Sequence, residues 1–341
     1  MTTRDHTVSS NSNQDVGAVV IGRNEGERLD RCLRSLARDV RALVYVDSGS
    51  TDGSTDLAER LGVHVIRLDA TQPFTAARAR NSGFRYLTQY ERGLAAVQFV
   101  DGDCEVEAGW IEAARAHLLA HPRTAVVFGR RRERFPEHSI YNRLFDYEWS
   151  IPPGEATSCG GDAMMRFDAL CEAGGYRDDL IAGEEPELCV RLRRAGWKIV
   201  CIDHPMTLHD AAMTRFSQWW RRTTRTGYGF AEGSHIHGGP PDYHWVIETR
   251  RAQIWGLVVP AVIAASVLAF GPWALLMALV YPAQVLRLYL KRRRTEPIPL
   301  ASSFFHVLGR FPEAVGQIRF FRNRIMGRAG SLIEYKSVAD R

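Results

Sequence analysis

The sequence predicts an α/β domain with a doubly wound, mostly parallel sheet and flanking helices, followed by an apolar helical hairpin and a basic amphipathic tail. Residues 17–129 alternate short β-branched runs with stretches of helical periodicity, which is the pattern of repeated βαβ units. Residues 254–290 are almost entirely apolar, and lysine and arginine cluster directly after them. These observations place a globular domain before a segment of membrane type.

Five short runs in the first part of the chain have the apolar, β-branched composition of strands. They are AVVI (18–21), ALVYV (42–46), VHVIRL (63–68), AAVQFV (95–100) and TAVVFG (124–129), and helical stretches separate them near 29–36, from 55, over 74–87 and over 108–120. Nearly continuous apolar strands are buried on both faces, and the ligands of such sheets bind beyond the carboxyl ends of the strands. We therefore expect the functional residues directly after each strand.

Composition and cysteine spacing limit the class of protein. The chain has 341 residues, which is more than a single typical hydrophobic core contains. With 45% hydrophobic and 24% charged residues, its composition excludes a disordered protein. Six cysteines occur without a CxxC pair or zinc-type spacing, so we expect free thiols in a reducing compartment. The first fifteen residues are polar and predict a disordered tail without a signal peptide. The predicted boundaries are a tail at 1–15, the α/β domain at 16–235, a linker at 236–252, the hairpin at 253–290 and the basic tail at 291–341.

The apolar segment at 254–290 is long enough for two short membrane spans. A single helical span needs about 20 apolar residues, and a turn at Gly271-Pro272 leaves roughly 17 to 18 residues for each arm. Basic residues border both ends, so both ends are expected on the cytoplasmic side of the cell (inner) membrane. A buried globular hairpin is the alternative. Beyond Pro299, aromatic residues and arginines recur at helical spacing, which fits either an interfacial helix or a helix packed on the α/β domain.

The formal charge of +5 is unevenly distributed, because the region before residue 236 is nearly balanced. The excess positive charge at the C-terminal end suggests nucleic acid or anionic lipid as a partner. Since the basic clusters border an apolar segment rather than form a stripe on the globular domain, we expect membrane lipids and no nucleic acid.

Asp101 and Asp103 directly follow the fourth apolar run and are separated by Gly102. Both carboxylates can reach one point, and such a pair suits an octahedral hard cation. His209, near the end of a later run, can add an imidazole ligand to a metal held by Asp103. The alternatives are an ordinary Asp-Gly turn and a structural histidine.

Polar residues also follow the first two runs, namely Asn24 and Glu25 after the first and Asp47 after the second. Asp47 is a candidate acceptor for the N–H group of a uracil or guanine base, or it belongs to the cap of the next helix. The segment FTAARARNSGF places Arg78, Arg80 and Asn81 at the start of a helix, where a cation and free N–H groups favour phosphate. A solvated arginine face is the alternative there.

The segment GEEPELCVRLRRAG (183–196) predicts a helix with Pro186 in its first turn and Gly196 after its end. Glu184 and Glu185 lie at its N-terminus, where the helix dipole favours an ionised carboxylate. Either one is therefore a candidate general base. The alternative is that both only cap the helix.

In chain order, VVIGRNEGERL, VDSGSTDGS, ARNSG, FVDGDC, GGDAMMR and GEEPEL…RLRRAGW resemble the motif series of family 2 glycosyltransferases, which have the GT-A fold. The resemblance covers about residues 16–231 and suggests a bacterial membrane-associated member. It implies inverting transfer of a sugar from a UDP- or GDP-sugar to an acceptor hydroxyl, with Mg²⁺ or Mn²⁺ on the diphosphate. A lipid-linked or saccharide acceptor, in cell-surface polysaccharide or glycolipid biosynthesis, is expected.

The resemblance also implies residue roles. Asp103 would bind the metal, Asp101 would lie near the ribose, and Glu185 would deprotonate the acceptor. The residues assigned to the nucleotide-sugar are Asn24, Glu25, Asp47, Arg78, Arg80, Asn81, Asp101 and Gly161, and those assigned to the metal are Asp103 and His209. Arg80 would help the metal to neutralise the leaving diphosphate.

The chain departs from the family pattern in three places. Glu184-Glu185 stands where Glu-Asp is more frequent, which leaves open which glutamate is the base. QWWRR at 218–222 is similar to the QxxRW motif, but the final arginine argues against processive synthesis. Gly22-Arg23 replaces the usual proline and aromatic residue. A nucleotidyltransferase is disfavoured because no Gly-rich, lysine-bearing loop follows the first strand, and a membrane-bound scaffold with an inactive transferase domain is the alternative function.

Overall fold

The computed structural model of the chain describes residues 14–327. The expected disordered tail at 1–15 and the end of the basic tail therefore lie largely outside the described residues. The nine strands in the described part are β1 (Val16–Gly22), β2 (Ala42–Asp47), β3 (His64–Arg67), β4 (Ala96–Asp101), β5 (Cys104–Val106), β6 (Thr124–Glu133), β7 (Gly154–Ala156), β8 (Ala163–Arg166) and β9 (Lys198–His209).

These strands form one sheet in the order β3-β2-β1-β4-β8-β6-β9-β5, with β7 paired to β9. Parallel pairs join β3, β2, β1 and β4, and a parallel pair joins β6 and β9. The short strand β8 runs antiparallel between β4 and β6. The doubly wound, mostly parallel α/β class is thus confirmed.

The helices of the α/β domain connect the strands and cover the sheet. They are α1 (Glu27–Leu36), α2 (Ser54–Arg60), α3 (Ala76–Tyr90), α4 (Trp110–Ala120), α5 (Ile140–Glu148), α6 (Phe167–Glu172), α7 (Glu184–Arg194) and α8 (Phe216–His237). One continuous core lies between sheet and helices, with Tyr45, Phe99 and Trp110 among its largest fully buried side chains. Because these side chains and the strands around them are buried, the carboxyl ends of the central strands are held in fixed positions.

The apolar segment forms two helices in which almost no residue is buried. The first runs over Val246–Phe270 and comprises α9 (Val246–Gln253), a π-helical turn (Ile254–Val258) and α10 (Val259–Phe270). The second runs over Pro272–Arg292 and comprises a 3₁₀ segment (Pro272–Leu279) and α11 (Val280–Arg292). Each is long and apolar enough to cross a membrane, and Gly271 separates them as expected.

The first apolar helix begins within the predicted linker, since residues 246–252 are helical. Two further helices, α12 (Pro299–Leu308) and α13 (Arg310–Ile325), return to the α/β domain. On α8, a Cβ atom at Gly227 would lie 2.1 Å from the carbonyl oxygen of Glu313, and on α13 a Cβ atom at Gly316 would lie 2.0 Å from that of Thr224. The two helices approach this closely because both contact points are glycines. For the residues beyond Pro299, the sequence left open an interfacial helix or a helix packed on the α/β domain. The structure has α13 packed on α8 of that domain.

Candidate active site

A cleft of about 600 Å³ lies at the carboxyl ends of β1, β2 and β4. One wall is the sheet edge with its loops, a second is the N-terminus of α7, and a third is α8 with Trp245. Of the predicted site residues, those that line the cleft are Asn24, Glu25, Arg80, Asp101, Asp103, Gly161, Glu184 and Glu185. The cleft volume is within the usual range of small-ligand sites.

The Arg80 side chain joins the carboxylates from two distant parts of the chain. Its Nη1 atom lies 2.9 Å from Glu184 Oε1 and 2.8 Å from Glu185 Oε1, and its Nη2 atom donates to Asp101 Oδ1 at 2.9 Å. The Arg80 side chain is only 2% exposed, and its guanidinium lies 5.7 Å from the Tyr176 ring centre. Arg80 is therefore a buried bridge between the strand-end aspartate and the acidic pair of α7.

Residue 161 must be a glycine because Arg80 and Asp101 lie directly against its Cα atom. A Cβ atom there would lie 2.6 Å from Arg80 Nη2 and 2.8 Å from Asp101 Oδ2. The neighbouring residue Asp162 was not predicted, yet its Oδ1 atom accepts the backbone N–H of Asp101 at 3.0 Å and its Oδ2 atom accepts the hydroxyl of Thr207 at 2.8 Å. Asp162 thus fixes the backbone at the end of β4.

Asp103 and His209 lie together, and a third residue orients the imidazole. His209 Nε2 is 3.2 Å from Asp103 Oδ2, and His209 Nδ1 is 3.1 Å from Glu133 Oε2. Glu133, which the sequence analysis missed, is paired in register with His209 because β6 and β9 run parallel. A carboxylate behind a histidine is the usual arrangement that fixes a metal-binding imidazole.

The ligand atoms of Asp103, Cys104 and His209 lie within 4.8 Å of one another. Carboxylate oxygen and imidazole nitrogen are suitable ligands for a divalent cation such as Mn²⁺, whereas Mg²⁺ prefers oxygen. The donor set that the sequence predicted is therefore present as a compact group at the edge of the cleft.

Glu185 has a perturbed acidity. Burial raises the pKa of the Glu185 carboxyl to about 7, although the adjacent Arg80 guanidinium opposes that rise and the Glu184 carboxylate adds to it. A carboxylate with a pKa near neutrality can exchange a proton under ordinary conditions. Glu185 thus combines a position on the cleft wall with a carboxyl group whose pKa is near neutrality.

Asp47 does not line the cleft and is 3% exposed. Its Oδ2 atom accepts the backbone N–H groups of Gly49 and Ser50 at 2.9 Å, and its Oδ1 atom accepts the Tyr45 hydroxyl at 2.9 Å. Asp47 therefore shapes the loop after β2 by side-chain hydrogen bonds to the backbone. Asn24 lies on the facing loop, accepts the Thr51 N–H at 2.8 Å, and adopts a positive φ of 56°.

Arg78 and Asn81 also lie away from the cleft surface. Arg78 donates to the carbonyl groups of Asp69, Gln72 and Pro73, which all belong to the loop before α3. Asn81 is buried and donates to the Tyr176 carbonyl at 2.7 Å. Both side chains hold loops in place, so of the three residues predicted at this helix start only Arg80 lines the cleft.

Comparisons with known proteins agree with this geometry. Residues 18–179 match the family model described as glycosyl transferase family 2. The succinoglycan biosynthesis protein ExoA of Rhizobium meliloti is 24% identical over 73% of this chain and 82% of its own length. The pre-mycofactocin glycosyltransferase of Mycobacterium tuberculosis is 28% identical over 63% of this chain, and the match covers 46% of that relative's length.

Among solved structures, a mannosyltransferase from Pyrobaculum calidifontis in complex with GDP-Man and Mn²⁺ superposes with a TM-score of 0.58. It is 20% identical, and the match covers 90% of this chain and 88% of that chain, which supports the same fold. The sheet order, the strand-end carboxylates and the sequence match agree with one another. The α/β domain, which contains residues 18–179, is therefore a family 2 glycosyltransferase domain with the GT-A fold.

Proposed function

We propose that this protein transfers a sugar, with inversion, from a UDP- or GDP-sugar to the hydroxyl group of a lipid-linked or saccharide acceptor at a membrane. The observation that carries the proposal is the Arg80 bridge, which brings Asp101 and the pair Glu184-Glu185 into one cleft. An inactive scaffold would have no reason to keep a buried guanidinium with two buried glutamates and a half-buried aspartate around it, because burying charged groups is costly.

In the proposed reaction the acceptor hydroxyl oxygen attacks the anomeric carbon in a single displacement. The bond between that carbon and the diphosphate oxygen breaks, and its electron pair leaves with the nucleoside diphosphate. Glu185 accepts the hydroxyl proton. Glu185 is assigned this role because burial raises its pKa to about 7 and because it lines the cleft.

We propose a role for Arg80 that differs from the one that the sequence suggested. Its buried guanidinium is engaged by carboxylates on both terminal nitrogens, so we assign it to positioning Glu185 and Asp101 rather than to the diphosphate. The residues left to contact the nucleotide are those of the cleft wall at the sheet edge, which include Asn24 and Ser48.

Asp103 and His209 would hold the divalent cation, with Glu133 fixing the imidazole. When bound, the cation supplies positive charge that stabilises the departing diphosphate. The experiment described below tests whether the cation is Mg²⁺ or Mn²⁺.

The membrane setting is supported by the two exposed apolar helices and by the basic residues that border them. We place the cleft on the cytoplasmic side of the inner membrane, where nucleotide-sugars are made. Cell-surface polysaccharide or glycolipid biosynthesis fits this location and agrees with the relative from Rhizobium meliloti, whose name refers to succinoglycan biosynthesis.

The test is donor hydrolysis by the purified full chain over a panel of UDP- and GDP-sugars, with Mg²⁺ or Mn²⁺. We expect one donor to be hydrolysed in a metal-dependent manner and the Asp103→Asn variant to lose this activity. If the wild-type protein neither binds nor hydrolyses a nucleotide-sugar, the proposal is wrong and the protein is a membrane-bound scaffold with an inactive transferase domain.

A further inference from the structure

The three walls of the cleft differ in their chemistry. The carboxylates of the cleft, which include Asp101 and Glu185, lie on the sheet edge and on α7. The wall formed by α8 instead presents Arg222, Arg225 and Thr226. We propose that Arg222, Arg225 and Thr226, named here the α8 anion subsite, bind the phosphate group of a lipid-linked acceptor. This inference rests on the proposed glycosyl transfer and names the chemical class of its acceptor.

Neighbouring groups orient both arginines. Arg225 donates its Nε hydrogen to the carbonyl oxygen of Ile181 at 2.9 Å, on the segment that leads into α7. Among the described residues, 14–327, Arg225 has no carboxylate partner. Arg222 lies 4.0 Å from the Phe145 ring centre, and its carboxylate neighbour Glu148, at 3.4 Å, is half exposed. The positive charge on this wall is therefore only weakly neutralised by the protein itself.

Guanidinium groups are well suited to phosphate, because their planar donors match two phosphate oxygens at once. Thr226 adds a hydroxyl that can donate to a third oxygen. Its hydroxyl donates to the Arg222 carbonyl at 3.2 Å within the helix and can turn toward a ligand. A neutral sugar acceptor would supply no negative charge to this wall, whereas a phosphate group would neutralise the charge of both arginines.

The position of the subsite favours the acceptor over the donor. Arg222 and Arg225 lie on the wall that also contains Phe230 and Trp245, and the first apolar helix begins at Val246, directly after Trp245. A lipid-linked acceptor carries its phosphate next to the lipid, at the membrane surface. The residues proposed for the nucleotide, Asn24 and Ser48, lie on the loops after β1 and β2 instead.

The test uses the full chain in zwitterionic detergent micelles and isothermal titration calorimetry. Farnesyl phosphate is the acceptor-like probe, farnesol is the same chain without charge, and inorganic phosphate is the same charge without lipid. UDP and GDP with Mn²⁺ report the donor site. Arg319→Gln is the matched control, because Arg319 is exposed on α13 and does not line the cleft.

We expect Arg222→Gln and Arg225→Gln each to weaken farnesyl phosphate binding by about tenfold or more, as for the loss of a charge-assisted hydrogen bond. Farnesol and nucleotide binding should not change, and Arg222→Lys should retain part of the affinity because it keeps the charge. Arg319→Gln should match the wild type with every probe.

Three results would overturn the inference. The first is that farnesol binds as tightly as farnesyl phosphate. The second is that inorganic phosphate binds as tightly as farnesyl phosphate, which would show that the lipid contributes nothing to binding. The third is that the arginine variants weaken UDP or GDP binding instead, which assigns both arginines to the donor. If the wild type binds farnesyl phosphate but neither nucleotide, the subsite stands and the proposed glycosyl transfer fails.

Discussion

Replacing Arg80 by methionine should destabilise the fold strongly, because methionine keeps the aliphatic bulk and removes the charge. Glu184 and Glu185 would lose their ion-pair partner, and their side chains are only 5% and 11% exposed. Asp101 would keep Arg131, which lies 3.8 Å from its Oδ2 atom. Breaking a buried ion pair costs about 3–5 kcal/mol. Asp101 is 31% exposed and adds little to this figure because water screens it. We expect a loss of about 3–5 kcal/mol at pH 8.

The matched control is Arg85→Met on the same helix. Arg85 lies 3.7 Å from Asp178, and both side chains are largely exposed, at 63% and 49%. Such a surface pair is worth about 0–1 kcal/mol. Denaturant unfolding of the full chain in detergent, followed by tryptophan fluorescence, measures both variants. If Arg80→Met costs no more than Arg85→Met, the guanidinium does not hold the carboxylates together and the reasoning is wrong.

The pH dependence of the Arg80→Met variant provides a second check. Burial already raises the pKa of Glu185 to about 7 in the presence of Arg80, and removal of Arg80 raises it further. A carboxyl whose pKa is raised in the folded state loses stability as the pH rises above its unfolded value, about 4.3 for glutamate. The destabilisation should therefore be smaller at pH 5.5 than at pH 8.

Three further outcomes are expected. The kcat/KM of sugar transfer should fall as the pH decreases through about 7, since protonated Glu185 cannot accept a proton, and a pH–rate profile should lose this limb in Glu185→Gln but keep it in Glu184→Gln. Asp103→Asn should weaken Mn²⁺ binding by about tenfold or more, measured by electron paramagnetic resonance, with the fold retained in circular dichroism. Gly161→Ala should cost about 1–3 kcal/mol in denaturant unfolding, because the added methyl group displaces the Arg80–Asp101 pair.

The parts of the fold that could be predicted from the sequence are those with a local signal. Buried parallel strands have nearly continuous apolar runs, so β1, β2 and β4 and the edge at which Asp101 lies were identifiable. The antiparallel strand β8 has only four residues, Ala163–Arg166, and its place between β4 and β6 depends on pairings far apart in the chain. A pattern of residues contains no information of this kind.

The candidate site shows the same division. The strand-end position of Asp103 and the helix-start position of Glu185 follow from local sequence. The contact of Glu133 with His209 spans 76 residues and depends on the irregular register of β6 against β9. Similarly, Arg80 and Asn81 are adjacent in sequence but point in different directions on α3, so that only the first reaches the carboxylates. The packing of α3 on the sheet decides which of its side chains faces the cleft, and the local sequence does not show this packing.

The contact between Gly227 of α8 and Gly316 of α13 has a consequence for substrate choice. The chain leaves α8, passes through both apolar helices, and comes back to α8 by way of α13, so the apolar hairpin is clamped at both of its ends. With the hairpin inserted in the bilayer as proposed, we expect this contact to hold Glu185 at one height above the lipid surface. A fixed height would favour acceptors in which a matching length of chain separates the lipid from the reacting hydroxyl group.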